Sequence, residues 1–149
     1  MPTRASSAAR RPLGALLLAR ARPDRVRIWA GRGLTSVHVT GLGPWSGVTV
    51  ASERSRAAAP YDEARMALAA RPLPSSLRPS TGFFVTGLRG VVVIQARGWR
   101  PAKRWVVWLP GAGVVQPPGL PPALATDLID VAGAGRPALP GVVEALAEI

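Results

Sequence analysis

Residues 97–104 read Arg-Gly-Trp-Arg-Pro-Ala-Lys-Arg, which sets Arg97, Arg100, Lys103 and Arg104 around Trp99. Guanidiniums suit phosphate oxygens through paired donors. An indole offers a flat face on which an unpaired base can stack, worth ~1 to 3 kcal/mol per base. A second set stands earlier, at residues 25–30, Arg-Val-Arg-Ile-Trp-Ala. Strict alternation there predicts a strand with Arg25, Arg27 and Trp29 on one face and Val26 and Ile28 on the other. Trp45 lies in the loop 41–47, which corresponds in position to the loop around Trp99. These residues make a candidate nucleic-acid surface, with single strands preferred because only they expose a base face.

The residue types that do chemistry are otherwise scarce. There is no Cys and one His, which removes thiol nucleophiles and Cys-ligated zinc and leaves no set of imidazoles for a metal. His38 shares an expected strand face with Ser36, but no acid on that strand completes a triad. Residues 92–97, Val-Val-Ile-Gln-Ala-Arg, are similar to the strand on which many nucleases carry a carboxylate. Gln95 stands where that carboxylate would be, so the metal chemistry is missing. The glycines of 31–33 and 41–43 fall in expected hairpin turns rather than between a strand and a helix, which excludes a phosphate loop. Asp62, Glu63, Asp127 and Asp130 read as helix-start and solvating charges. The expectation is a protein that is not an enzyme and uses no cofactor.

Charge points the same way. Lys and Arg number 19 against 8 Asp and Glu, a net charge of +11, which is an electrostatic footprint for a polyanion or an acidic partner. Arg gathers in residues 1–32, whereas residues 121–149 hold Arg136 against Asp127, Asp130, Glu144 and Glu148. A genome rich in G and C would favour Arg over Lys, yet it also supplies Asp and Glu codons. Base composition therefore accounts for the choice of cation better than for the excess of cations.

The elements that must position these groups follow from hydrophobic pattern and turn residues. Residues 1–22 read as a basic arm leading into a short helix with Leu13, Leu16 and Leu17 on one side. The Arg-rich, acid-free start also resembles an organellar transit peptide. Its apolar run is far too short to cross a bilayer, and no membrane partner is expected. Strands are expected at 25–30, 34–40 and 48–51, then a helix at 60–70 that opens with Pro60 and acids. A second meander follows at 83–86, 91–96 and 105–109, with Trp105 packed beside Val107 and Leu109 and Trp108 on the other face. The Gly- and Pro-rich stretch 110–122 reads as a linker. Helices are expected at 123–131 and 141–149.

With 149 residues the chain is large enough to bury a core without staples. The fold class is α+β: two three-stranded antiparallel meanders with helices packed on one face. Its parts are the arm 1–22, a core domain 23–135 and a C-terminal helix 136–149. Laid on the later meander without a gap, Arg32 and Gly33 fall on Arg89 and Gly90, Gly41 on Gly98 and Pro44 on Pro101. Tandem βββα duplication and coincidence both fit that match. In architecture such tandem halves resemble the Whirly and Pur-repeat single-stranded nucleic-acid binders, although those usually have a fourth strand per half. The order also resembles secretion-chaperone folds, which dimerise and hold a partner peptide but tend to be acidic. The expectation is a cytoplasmic basic protein that binds nucleic acid or another polyanion, the alternative being a protein-interaction or chaperone-like subunit, as a homodimer or in a larger assembly.

Overall fold

A computed structural model of the chain describes residues 14–59, 62–97, 103–124, 127 and 131. The expected helix at 141–149 and most of the one expected at 123–131 lie outside those residues, as do Trp99, Arg100 and the residues before Gly14.

Residues 15–19, Ala-Leu-Leu-Leu-Ala, form β1 (Ala15–Ala19) rather than the expected helix. One uninterrupted apolar turn is too short to nucleate a helix in isolation, whereas both backbone edges of this segment find partners. β1 pairs antiparallel with β3 (Trp45–Val50) on one side and β4 (Ser80–Thr86) on the other. The alternation at 25–30 is the second correction. Those residues belong to helix α1 (Pro23–Gly31), which has Pro in its first turn, Asp24 beside it, and Val26, Trp29 and Ala30 as its buried stripe. Both starting residues are helix-entry features. The i, i+3, i+4 spacing of the buried three overlaps, over so few residues, with a period of two. Residues 31–33 consequently end a helix and do not turn a hairpin.

β2 (Val37–Leu42) and β3 are joined at Gly43 and Pro44, Gly43 taking φ +64°. Helix α2 (Ala64–Ala70) starts at the cap Glu63, whose side chain accepts the Met66 N–H. A cis peptide precedes Pro79. β4, β5 (Arg89–Gln95) and β6 (Arg104–Leu109) form the expected second meander. It gains a strand within the stretch read as linker, β7 (Gly113–Val115), paired with β6 through a turn carrying Gly111 at φ +80°.

All seven strands lie in one antiparallel sheet in the order β2-β3-β1-β4-β5-β6-β7. The first half is thus β1-α1-β2-β3, so two equivalent βββα units are absent and the match between residues 31–33 and 88–90 joins a helix end to a hairpin turn. β1 and β2 are parallel with β3 between them, and β3 and β4 are parallel with β1 between them. α1 and α2 make those two crossovers, and both pack on the same face. Their buried residues join Leu17, Val48, Val50, Phe84, Val91, Val93 and Val107 in a single core. Burying that set is the main favourable term. The mixed α+β character is as the sequence implies.

Truncation at Ile28, set against a buried reference position in β1, separates helix from strand at 23–31. Leu17→Ala should lower the free energy of unfolding by ~2 to 5 kcal/mol, as buried Leu truncations do. Ile28, which a strand would turn inward, is 60% exposed, and Ile28→Ala should cost within about 0.5 kcal/mol. Urea unfolding of both variants checks this, and a large cost at Ile28 would contradict the helix register.

Candidate anion-binding surface beside helix α1

Because α1 lies over β2 and β3, its polar side faces solvent next to the free edge of the sheet. Three hollows meet around its C-terminal half. One of ≈ 370 Å³ runs between α1 and α2, sharing Trp29 and Arg32 with a second of ≈ 310 Å³ that Arg25 borders. The third, ≈ 630 Å³, lies along β2 and carries Arg27, Arg56, Ser36, His38 and Thr40. Their linings contain Arg25, Arg27, Arg32, Arg56 and Arg71 and not one carboxylate.

Several of these cations are held by backbone carbonyls. Arg27 Nη2 donates to Val39 O (3.3 Å) and Arg56 Nη2 to Gly33 O (3.2 Å). Arg71 Nη2 donates to Trp29 O at 2.6 Å, and its guanidinium lies 4.0 Å from the centre of the Trp29 ring. That contact satisfies a carbonyl of the last turn of α1 and sets a cation at the negative end of the helix dipole. A guanidinium has five N–H donors, so one such bond orients it and leaves the rest available. Among the described residues the ion pairs within 4.0 Å are Arg22–Asp24 at 3.8 Å and Arg65–Glu63 at 2.6 Å, both outside the three hollows.

The residues singled out in the sequence fall into separate groups. Arg25 and Arg27 are exposed on α1 and belong to this surface. Trp29 does not share their face: it is 8% exposed, its ring is covered by Arg71 and its Nε1 donates to Pro72 O at 3.4 Å. No base can stack there while Arg71 is in place. Trp45 is half-buried on the opposite face of the sheet, 5.9 Å from the Arg20 guanidinium. Arg104 projects to that opposite face with Ile94. It lies four to five strand spacings from the strands beneath α1, on the order of 20 Å. Arg97 is exposed after β5. Lys103 turns to the helix side, where its Nζ donates to Ala69 O at 2.7 Å and sits 5.8 Å from the Trp105 ring. It closes the C-terminal turn of α2 rather than reaching for a phosphate. Arg32, Arg56 and Arg71 were not legible as site residues, because their grouping depends on contacts between α1, the loop after β3 and the end of α2.

Gln95 and Glu63 find structural roles. Gln95 is buried, and its Oε1 accepts the Leu73 N–H at 2.9 Å. Burial alone would raise the Glu63 pKa, but bonds from Arg65 and the Met66 N–H outweigh it and hold the carboxyl below its ordinary value. His38 is exposed on the edge strand opposite Thr49. Among the described residues no three His, Cys, Asp or Glu side chains gather as metal ligands would, and no helix is long and apolar enough to cross a membrane. No family model, curated protein or solved structure matches this chain.

Burial also leaves a titratable mark on Lys103, whose pKa falls from 10.5 to about 8. The folded state therefore releases this proton at lower pH than the unfolded chain. Between about pH 8 and pH 10.5 the unfolded chain binds more protons, so stability should rise with pH across that window. Lys103→Met should remove that rise. Lys103 is the single lysine, so reductive ¹³C-methylation would place one side-chain reporter on it. A titration midpoint near the ordinary lysine value would contradict the burial.

Proposed function

We propose that this chain is a non-enzymatic nucleic-acid-binding protein that holds phosphates against the α1 side of the sheet through Arg25, Arg27, Arg32 and Arg56. The observation that carries the reading is the contiguous lining around α1, in which five guanidiniums meet without a carboxylate. Backbone anchoring of Arg27 and Arg56 supports it, since a guanidinium already oriented loses less freedom when it meets a phosphate. With Trp29 under Arg71 and Trp45 on the far face, base stacking does not contribute at this surface. The reading rests on charge, and single-stranded and duplex oligonucleotides are expected to bind with comparable affinity.

Salt dependence tests it. Affinity should fall steeply between about 50 and 200 mM salt, and Arg27→Gln with Arg56→Gln should make the log–log slope shallower by roughly 1.4 to 1.8. Fluorescence anisotropy with labelled oligonucleotides reads both effects. The absence of binding at the lower salt would discard the reading.

A second reading, a protein-interaction subunit, is favoured by the other face of the sheet. Leu16, Leu42, Phe83, Val85, Trp108 and Val114 project there and remain exposed, with Phe83 at 43% and Trp108 at 47%. Exposed apolar side chains at paired positions, such as Leu16 with Phe83 and Trp108 with Val114, mark an interaction site more often than scattered ones do. Arg20 and Arg104 stand toward one end of it, so the partner that fits is an apolar protein surface with an acidic margin. The complex should survive high salt and nuclease, and Phe83→Asp should abolish it, as read by co-purification and identification of the bound chain. A partner retained by the Asp variant would exclude this face, and a bound chain identical to the protein itself would make the occupant a second copy.

A further inference from the structure

The hollow between α1 and α2 differs in chemistry from the phosphate-facing surface beside it. Ala30, Leu34, Val37, Ala67 and Leu68 supply apolar walls, while Arg71, Arg32 and the Thr35 hydroxyl are its polar groups. Its volume of ≈ 370 Å³ falls in the range of sites that take small molecules, which pair an apolar lining with a few convergent polar groups.

Arg71 is the decisive residue. It arrives from the end of α2 and its Cζ lies over the Trp29 ring, 4.0 Å from the ring centre, with one of the two Nη2 N–H groups donated to Trp29 O. Its Nη1 and Nε have no acceptor among the described residues, and no carboxylate lies within 4.0 Å of it. Gly33 makes room for it. A Cβ at that position would collide with Arg71 Nη1 and come within 3.0 Å of Cζ. The Gly33 backbone thus lies close against a cation that has no counter-ion among the described residues. Partial burial depresses the Arg71 pKa from its ordinary value, in line with a guanidinium out of water and lacking an anion.

We propose that this hollow is a binding site for a small apolar monocarboxylate, the carboxylate meeting Arg71 at the mouth and the hydrocarbon body lying against Leu68, Ala67 and Val37. A planar guanidinium and a carboxylate match through parallel N–H···O bonds, and Arg32 and Thr35 stand where a carboxylate oxygen would need further donors. Two chemistries are disfavoured by the same lining. A primary amine would face only cations, and a highly charged phosphate ester would gain nothing from the apolar wall. The site shares Arg32 with the surface proposed for phosphates but turns on Arg71 and the apolar wall, so octanoate binding and oligonucleotide binding can fail separately.

Octanoate is the probe, with octanol and octylamine as neutral and cationic controls, titrated into the full chain by calorimetry and followed by ¹H–¹⁵N spectra. Octanoate should bind at least about tenfold more tightly than octanol, and octylamine should not bind. The shifts should centre on the Gly33 and Thr35 amides and the Trp29 indole N–H. Arg71→Gln should lower octanoate affinity by tenfold or more and bring it to that of octanol. Should Arg71→Gln fail to fold, Ala67→Phe, which fills the hollow from α2 and keeps the guanidinium, should block octanoate while oligonucleotide binding is retained. Equal affinity for octanoate and octanol, shifts located elsewhere, or full binding by Ala67→Phe would each overturn the assignment.

Discussion

Everything in this fold follows from the position of β1. It is the first described strand in the chain, yet it lies between β3 and β4. Both of its hydrogen-bonding edges are therefore filled by strands that come much later. Each strand pair flanking a central strand must be joined by a crossover, and a helix is the usual way to satisfy the backbone while crossing a sheet. α1 passes over β3 and α2 passes over β1, and packing both on one side puts their apolar stripes into one core. The consequence, among the described elements, is a helix layer on one side of the sheet and a second face on which exposed apolar side chains stand beside the buried Thr81 and Ile94. The exposed leucines, valines and aromatics of that face result from placing every described helix on the other side.

The same constraint explains which parts of the fold were legible. β5 and β6 announce themselves through Val91, Val92, Val93 and Val106, Val107, branched at Cβ and bounded by turn residues, and local pairing is enough to place them. α2 is legible through its acids and its run of Ala, Met and Leu. β1 is not, because a five-residue apolar run suits a helix or a strand equally well until its partners are known. α1 misleads for the complementary reason. Val26 and Ile28 alternate with Arg25, Arg27 and Trp29, and only the sheet beneath shows that Trp29 and Val26 turn inward together while Ile28 turns away. β7 hides in a stretch whose Pro110 and Gly111 signal a turn but not the three residues, Gly113 to Val115, that pair after it.

The candidate site was legible in kind and not in membership. Excess cation over acid is a property of composition, and Arg25 and Arg27 are exposed whether their segment is a strand or a helix. Trp29 changes role because a helix rotates it by about 200° from Arg27, whereas alternation would have placed the two together. Arg71 and Gly33 could not be paired from sequence at all. They meet only because the ends of both crossover helices converge at one point, and the absent side chain of one is the space occupied by the other.

That convergence also accounts for how a chain of net charge +11 tolerates so few ion pairs among its described residues. Surface pairs contribute little to stability, so omitting them costs little, provided that like charges stay solvated and apart. Arg27 and Arg56 meet that condition by reaching backbone carbonyls at their own margins, which spreads the charge along the sheet edge. Arg71 is the exception, since it is drawn partly out of water and set against an aromatic ring instead of an acid. Cation–π contact and one carbonyl compensate part of that desolvation. What they leave uncompensated is an attraction for an anion, directed into an apolar hollow by the geometry that holds the two helices together.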